Sequence, residues 1–381
     1  MVTRPFVLVT TSALALFVYI GVMTPLLPRL IEEQLGGNEI DIGFNLAIFS
    51  IAAVSIRPQV SRFAEQHGLR LTMVSGAILA AAATAVCALI HSRWGLLPLR
   101  AVQGIGEGAV FVAAATSISD MAPPGRGAEA ASYFSVAVFG GLGIGPVIGE
   151  TVVGRDRFAA GLLTAAAFAA LASALALLTP AGVRHHQKDV VPGPRFYRAA
   201  IPTGLVLALG VGGFVTFTAF MPEYSLTVGL SGSKWVFATY AGVCLVIRIV
   251  AATVPDRIGH ANAVTFALTF MLAGLTMLFL LPHPVGVFAS TVVVAIGISF
   301  QYPSLMAMVV ETVPETERVR AISTFTMFFE IGTASGALVL GAVADITSKR
   351  GAFLGGAVFC GVGLLVLWKV VVPRSRAHVT V

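Results

Sequence analysis

Charge is scarce in this sequence of 381 residues: only 11 % of them are Asp, Glu, Lys or Arg, against about 25 % in soluble globular domains. Apolar residues make up 57 %, and the mean hydropathy is +0.90. This composition excludes a water-soluble globular protein and predicts an integral membrane protein. The formal charge of +6 does not indicate nucleic acid as a partner, because most cations flank apolar segments, where they anchor helices to lipid headgroups.

Cysteine is also rare. Cys87, Cys244 and Cys360 lie singly inside apolar runs, so their spacing excludes a disulfide framework and a Cys/His metal cluster. The chain has no Gly-rich loop ending in Lys-Ser/Thr, and no membrane-embedded Ser/His or Cys/His set. We therefore expect no metal, no cofactor, no nucleotide-driven activity and no enzymatic activity.

Long apolar runs fill most of the chain. Each is close to the length of about 20 residues that a membrane-spanning helix needs, and together they predict an all-α integral membrane protein with 12 transmembrane helices. An even number places both termini on one side, which carries most of the Lys and Arg residues and is therefore predicted to be cytoplasmic. The predicted spans are 6–28, 41–61, 71–91, 95–118, 128–152, 158–180, 199–222, 234–254, 262–281, 285–310, 320–344 and 350–371.

The longest polar connection divides these spans into six and six. We predict an N-terminal half at 1–180, a cytoplasmic linker at 181–198 and a C-terminal half at 199–381. An internal duplication supports this division, because residues of the same type recur at a constant offset. At 191 residues the repeated pairs include Arg57 and Arg248, Gly68 and Gly259, Gly106 and Gly297, Gly141 and Gly332, and Gly145 and Gly336. The sequence thus predicts two pseudo-symmetric six-helix bundles.

Three motifs carry a family resemblance. The segment 57–70 follows the second span and has a copy at 248–259, the segment 99–108 surrounds an arginine inside the fourth span, and the segment 140–149 is a glycine-proline run in the fifth. With the twelve spans and the duplication, they resemble the signatures of the major facilitator superfamily, in particular its 12-helix drug/proton antiporters. The resemblance implies a transporter whose first, fourth, seventh and tenth helices line a central cavity.

The segment 57–70 supplies a candidate cytoplasmic gate. In the family, the carboxylate at the position of Glu65 helps to close the cytoplasmic side by engaging the eleventh helix, and a helix N-terminus favours such an anion. The alternative is an ordinary solvated turn rich in charge. The gate candidates are Arg57, Glu65 and Gly68 in the first half and Arg248, Asp256 and Gly259 in the second.

Arg100 is the most unusual charge, because a cation inside the membrane costs a few kcal/mol unless it finds water or a partner. Gln103 and Glu107 follow at i+3 and i+7 and share its helix face. The resemblance lets this stripe face the substrate path. In the alternative reading, Arg100 snorkels outward and Glu107 is a neutral packing residue.

Glu107 and Glu330 are the two acids well inside apolar spans, and both are candidates for binding and releasing a proton in each transport cycle. Many drug/proton antiporters of the family carry an acid in the first helix, whereas the span 6–28 has none. Any coupling must therefore use another helix. Glu150 ends the glycine-proline run, where it is either a further functional acid or a solvated cap.

Small and polar residues complete the candidate site. Gly141, Gly145 and Gly149 form one stripe beside Pro146, which favours close packing against the second half, with a hinge or a seal against proton leak as the family implication. Polar side chains at membrane depth must be satisfied and seldom face lipid, so Tyr19, Gln301 and Tyr302 are predicted to line the cavity.

The sequence thus favours a monomeric secondary active transporter of a bacterial inner membrane. Its expected activity is proton-coupled efflux of an amphipathic or cationic small molecule by alternating access. A proton symporter or facilitator for a sugar, organic anion or other metabolite is the alternative within transport. A transport-inactive receptor or assembly factor with the same fold is the alternative outside it, since a fold alone does not assign a function.

Overall fold

The computed structural model describes residues 3–122, 127–154, 156–180, 197–251, 254–313 and 318–373, and no β-strand occurs in them. The all-α prediction is confirmed. The α-helices are α1 (Arg4–Arg29), α2 (Glu39–Ser55), α3 (Arg57–His67), α4 (Leu69–Cys87), α5 (Arg93–Asp120), α6 (Gly127–Val153), α7 (Phe158–Leu177), α8 (Ile201–Thr227), α9 (Lys234–Val250), α10 (Val254–Ile258), α11 (His260–Leu280), α12 (Pro284–Glu311), α13 (Arg318–Ile346) and α14 (Lys349–Val366). Short π-helical turns continue α1 and α14 at Leu30–Gln34 and Leu367–Val371.

Ten of the described helical segments are long and apolar enough to cross a membrane, and the count is eleven if α2 and α3, which meet at a bend of 47°, are taken as one span. The remaining predicted span, 234–254, coincides with α9, whose 17 residues are slightly fewer than the about 20 that a straight span needs. The described helices therefore follow the order of the predicted spans.

The predicted second span is wrong at its end, because it does not continue straight to residue 61. Helix α2 ends at Ser55, and α3 begins at Arg57 with Pro58 in its first turn. A proline in the interior of a continuous helix would remove one hydrogen bond and clash with a preceding carbonyl. The chain therefore starts a new, polar helix at this point, and most of the predicted connecting loop is helical.

The residues cluster into two compact units. The first comprises Met1–Gly37 and Ile48–Val191, and the second comprises Asn38–Ala47 and Pro192–Val381. Residues 38–47, the beginning of α2, thus cluster with the second unit. Residues 181–196 of the predicted linker lie outside the described part of the chain, and the domain boundaries stay a prediction.

Equivalent contacts inside each unit bear out the duplication. In the first unit, a Cβ atom placed on Gly145 of α6 would lie 2.5 Å from the Cα atom of Gly21 in α1. In the second unit, a Cβ atom on Gly336 of α13 would lie 2.5 Å from the Cα atom of Gly212 in α8. At the 191-residue offset, Gly21 corresponds to Gly212 and Gly145 corresponds to Gly336. The first and fifth predicted spans therefore cross at the same glycine contact in each half.

Gly68 and Gly259, another repeated pair, both have positive φ angles, of 90° and 84°. This region of backbone space costs other residues about 1–3 kcal/mol. We therefore expect Gly68→Ala and Gly259→Ala each to lower the free energy of unfolding by about that amount, measured by denaturant titration in detergent. Gly242→Ala in α9 is the matched control, because its added Cβ atom meets nothing within 4 Å. Equal stability of all three variants would contradict the prediction.

Candidate functional site

The interior of the first unit holds a continuous polar network around Arg100. Its Nη1 atom donates to Gln103 Oε1 at 2.6 Å, and Gln103 Nε2 donates to Thr84 Oγ1 of α4 at 3.0 Å. Thr84 Oγ1 in turn lies 3.3 Å from the hydroxyl of Tyr19 in α1. Each of the four side chains is at most 4 % exposed. Three helices thus join the predicted residues Tyr19, Arg100 and Gln103 in one buried cluster.

Arg100 does not snorkel outward, so this alternative reading is wrong. Its guanidinium carbon lies 4.5 Å from the centre of the Phe49 ring, at a distance typical of a cation–π interaction. Gln103 Nε2 also lies 3.4 Å from Cys87 Sγ. The guanidinium therefore lies against an aromatic ring and donates to a hydrogen-bonded amide.

The close approach of α4 and α5 makes this network possible. A Cβ atom on Gly106 of α5 would lie 2.5 Å from the backbone oxygen of Gly76 in α4, so both helices need small residues at the crossing. Thr84 and Cys87 follow Gly76 along α4, within reach of Gln103 on α5. Sequence reasoning missed both residues, because no periodicity within one helix identifies its partner on another.

Glu107 extends the cluster along α5. It is only 4 % exposed and lies one helical turn from Gln103 on the same face. The predicted stripe of cation, amide and acid is therefore present as one face of a buried helix.

The other predicted site residues lie in the second unit. Glu330 is half-buried in the middle of α13. Gln301 of α12 is completely buried and donates from Nε2 to the backbone oxygens of Leu207 and Val206 at 3.3 and 3.5 Å. Tyr302 packs on Phe325, with 5.7 Å between the ring centres.

The candidate gate residues of the first unit lie on α3. Arg57 is its first residue, and its guanidinium carbon lies 5.5 Å from the centre of the Phe111 ring. Glu65 is exposed in the last turn of the helix, and Gly68 follows the helix with its positive φ angle. The segment is therefore an ordered helix with a glycine stop rather than an irregular turn.

The copy of this motif in the second unit brings a histidine close to two acids, and sequence reasoning missed this histidine. Nε2 of His260 lies 3.0 Å from Glu311 Oε1 and 3.9 Å from Oδ1 of the exposed Asp256. Arg248 is half-buried near the end of α9, and Gly259 has a positive φ angle. Leu69 stands at the position of His260 in the first repeat, so the resemblance between the repeats gave no signal for this histidine.

The glycine stripe of α6 packs against α1 of its own unit, so the prediction that it packs against the second half is wrong. Cβ atoms on Gly141 and Gly145 would meet the backbone of 17–21 at 2.5 to 2.7 Å, and one on Gly149 would meet the Val22 oxygen at 2.6 Å. Pro146 lies beside the same contact, at Gly21. Small residues specify a close crossing but not which helix is crossed.

Two ion-pair clusters were not predicted. In the first unit, Arg29 Nε lies 2.8 Å from Glu33 Oε1, and its Nη1 lies 3.8 Å from Oε2 of Glu150. Glu150 is buried, with 7 % exposure, so its reading as a solvated cap is wrong. In the second unit, Lys349 Nζ lies 3.4 Å from Glu39 Oε1 and also contacts Glu223.

These features define a multi-pass, all-α membrane protein that is built from two copies of one helical unit and holds buried charge. The family model of the Major Facilitator Superfamily matches residues 8–293 and 205–380. The chain belongs to this superfamily of transporters, as its motifs predicted.

Relatives and solved structures agree with this assignment. An uncharacterized MFS-type transporter of Burkholderia mallei (strain SAVP1) is 26 % identical over 371 residues, covering 95 % of this chain and 91 % of the relative. One of Salmonella typhimurium (strain LT2) is 24 % identical over 323 residues and covers 83 % of each chain.

Among solved structures, a POT family transporter in complex with a thioalcohol conjugated peptide has a TM-score of 0.79 at 14 % identity, covering 98 % of this chain and 96 % of that one. The nucleoside transporter NupG has a TM-score of 0.73 at 14 % identity, with complete coverage of both chains. At these identities the likeness shows the fold alone.

Proposed function

We propose that the chain is a proton-coupled exporter of an amphipathic or cationic small molecule, which acts as a monomer in a bacterial inner membrane with both termini in the cytoplasm. The observation that carries the proposal is the buried network of Tyr19, Gln103 and Arg100 with Glu107 one turn further along α5. Charges inside a membrane protein are costly and typically serve ion or substrate pathways. An inactive scaffold would gain nothing from them.

Proton binding is the proposed source of energy. Protonation of Glu107 or Glu330 removes one negative charge from its unit, and a ligand or proton shifts a conformational equilibrium only by its differential affinity for the two states. In transporters built from repeats, such a shift rocks the repeats about a midplane site. Acids together with aromatic side chains such as Tyr302 support a cationic or amphipathic substrate, and the α6 motif resembles that of antiporters.

Proton exchange in liposomes tests the proposal. Purified protein is reconstituted with a pH-sensitive dye inside and no initial pH gradient, and a panel of cationic drugs, sugars and organic acids is added in turn. We expect a cationic compound to move down its imposed gradient and protons to move in the opposite direction. Because an amide cannot carry the proton, Glu107→Gln or Glu330→Gln should lower this movement to the protein-free background.

Two exposed acids on the same helices provide matched controls. Asp120 lies at the end of α5 and Asp345 near the end of α13, and we expect Asp120→Asn and Asp345→Asn to leave the proton movement unchanged. Protons that move in the same direction as the substrate would favour the symporter. Substrate flux without proton movement, unchanged in both glutamine variants, would reject coupling.

A further inference from the structure

Gln301 of α12 leaves one buried polar atom without a partner. The side chain is 0 % exposed, and its Oε1 atom accepts no hydrogen bond from the described residues. The orientation of the amide is fixed by its surroundings, since the two groups that Nε2 contacts, the backbone oxygens of Val206 and Leu207, can only accept hydrogen bonds. The Nε2 atom must therefore face α8, and Oε1 must point away from these carbonyls.

The opposing helix leaves room for this amide. A Cβ atom on Gly210 of α8 would lie only 1.9 Å from Gln301 Nε2, so the amide occupies space that any other residue would fill. Tyr19 is the counterpart of Gly210 in the first unit at the 191-residue offset. In the second unit, a glycine thus takes the position of this hydrogen-bonded ring. The space beside the glycine holds an amide whose acceptor oxygen has no partner among the described residues.

Ser304 repeats the pattern one turn further along the same face of α12. Its Oγ atom is also buried without a partner among the described residues. Other buried hydroxyl groups of this helix donate to the backbone oxygen four residues earlier, as Ser290 does to Gly286 at 2.7 Å. Pro303 lies between the two residues inside the helix and has no N–H group to give to the carbonyl of Ser299. This stretch of α12 therefore offers two unused acceptor oxygens, and the hydroxyl group of Ser304 can also donate.

Aromatic rings lie one turn along α8 from the contact with Gln301. Phe214 follows Gly210 by one turn on the same face of α8. Its ring is half-buried and stacks on Tyr240 of α9, with 5.5 Å between the centres and 29° between the planes. A ligand site commonly joins such apolar rings to a few polar groups that fix orientation.

We propose that Gln301 Oε1 and Ser304 Oγ bind a hydrogen-bond donor of the substrate, an amino or hydroxyl group on an aromatic compound whose ring lies against Phe214 and Tyr240. An unpartnered buried acceptor is costly, and a donor from the substrate removes this cost. The assignment rests on the proposed function, because it specifies part of the exported molecule. Both atoms are covered in this state, so the substrate reaches them only when the site opens.

Binding to the full chain in detergent, without any gradient, tests this assignment. The probes are matched pairs: a primary aromatic amine with its N,N-dimethyl analogue, and a phenol with its methyl ether. We expect the wild-type protein to bind the donor of each pair about tenfold more tightly, as one good hydrogen bond allows. Gln301→Met and Ser304→Ala should reduce this preference and leave the affinity for the methylated analogues unchanged.

A stability measurement distinguishes this role from a structural one. If the acceptors serve the substrate, both variants remove an unsatisfied group and their melting temperatures stay equal or rise. Ser290→Ala is the control, because the hydroxyl group of Ser290 is already satisfied, and it should keep the ligand preference. The assignment is overturned if the wild-type protein binds both members of a pair equally, as a bound water alone at Gln301 would allow. It is also overturned if Gln301→Met lowers the melting temperature and weakens the binding of both members alike.

The outcome is independent of the proposed coupling. Donor preference without proton movement would keep this site and reject proton-coupled export. Proton movement without donor preference would keep proton-coupled export and reject this site.

Discussion

We expect Arg100→Met to abolish substrate flux in liposomes, while Arg93→Met at the half-buried start of the same helix should leave it unchanged. The expected loss reaches the protein-free background, because Arg100 is the buried cation of the network and its planar group contacts Gln103 and Phe49 together. Arg100→Lys should restore little of the flux, since an ammonium group has neither the planar shape nor the paired donors of a guanidinium. Flux is measured with any compound that the wild-type protein moves.

The same network predicts a non-additive effect on stability. Gln103→Leu removes one acceptor of a buried guanidinium and should lower the free energy of unfolding by about 1.5–3 kcal/mol, the range for hydrogen bonds to charged groups. In the double variant Arg100→Met/Gln103→Leu this charge is absent, so part of the loss should be recovered. If Arg100→Met retains wild-type flux, or if the two substitutions simply add, the network is not the functional unit described above.

The predicted spans were recovered because the bilayer constrains them so strongly. A chain in hydrocarbon must satisfy its backbone hydrogen bonds internally, so each long apolar run becomes a helix regardless of its neighbours. The prediction failed where a local rule interrupted an apolar run. Pro58 lies in the first turn of a separate polar helix, so the second span ends at Ser55 and not at residue 61 as predicted.

Only part of the candidate site could be predicted from the sequence. Arg100 and Gln103 are three residues apart on one helix, so their contact followed from helical geometry. Thr84 and Tyr19 belong to other helices, and the hydrogen bonds that lead from Gln103 through Thr84 to Tyr19 depend on how three helices pack. The unpartnered oxygens of Gln301 and Ser304 had no sequence signal either, because satisfaction of a hydrogen bond depends on the surrounding structure.

The sequence also indicates which helix the glycine stripe of α6 crosses. The spacing of the stripe correctly predicts a close helix crossing, but the predicted partner, the second half, is wrong. Gly21 and Gly212 also match at the 191-residue offset, as Gly145 and Gly336 do. Two glycine pairs that recur together indicate a contact inside each repeat, because the duplication preserves contacts within a unit.

Gly145→Ala should therefore destabilise the first unit severely. The added Cβ atom would lie 2.5 Å from Gly21 Cα and 2.6 Å from the backbone oxygen of Val18. Both are backbone atoms, which cannot move away by changing rotamer, so α1 and α6 must separate along their crossing. We expect a loss of about 3 kcal/mol in the free energy of unfolding, at the upper end for an overpacked core, together with a fall in folded yield.

Gly140 supplies the control on the same helix. A Cβ atom there would meet only Leu14 Cδ1, at 3.8 Å, so Gly140→Ala should stabilise α6 by up to about 1 kcal/mol, as expected for this exchange within a helix. Gly336→Ala should reproduce the loss in the second unit, where the contact with Gly212 is equally close. Denaturant titration in detergent measures all three variants. Equal stability of Gly145→Ala and Gly140→Ala would mean that α1 and α6 do not depend on this close crossing. If Gly336→Ala lowers the free energy of unfolding as much as Gly145→Ala does, both repeats depend on the same contact.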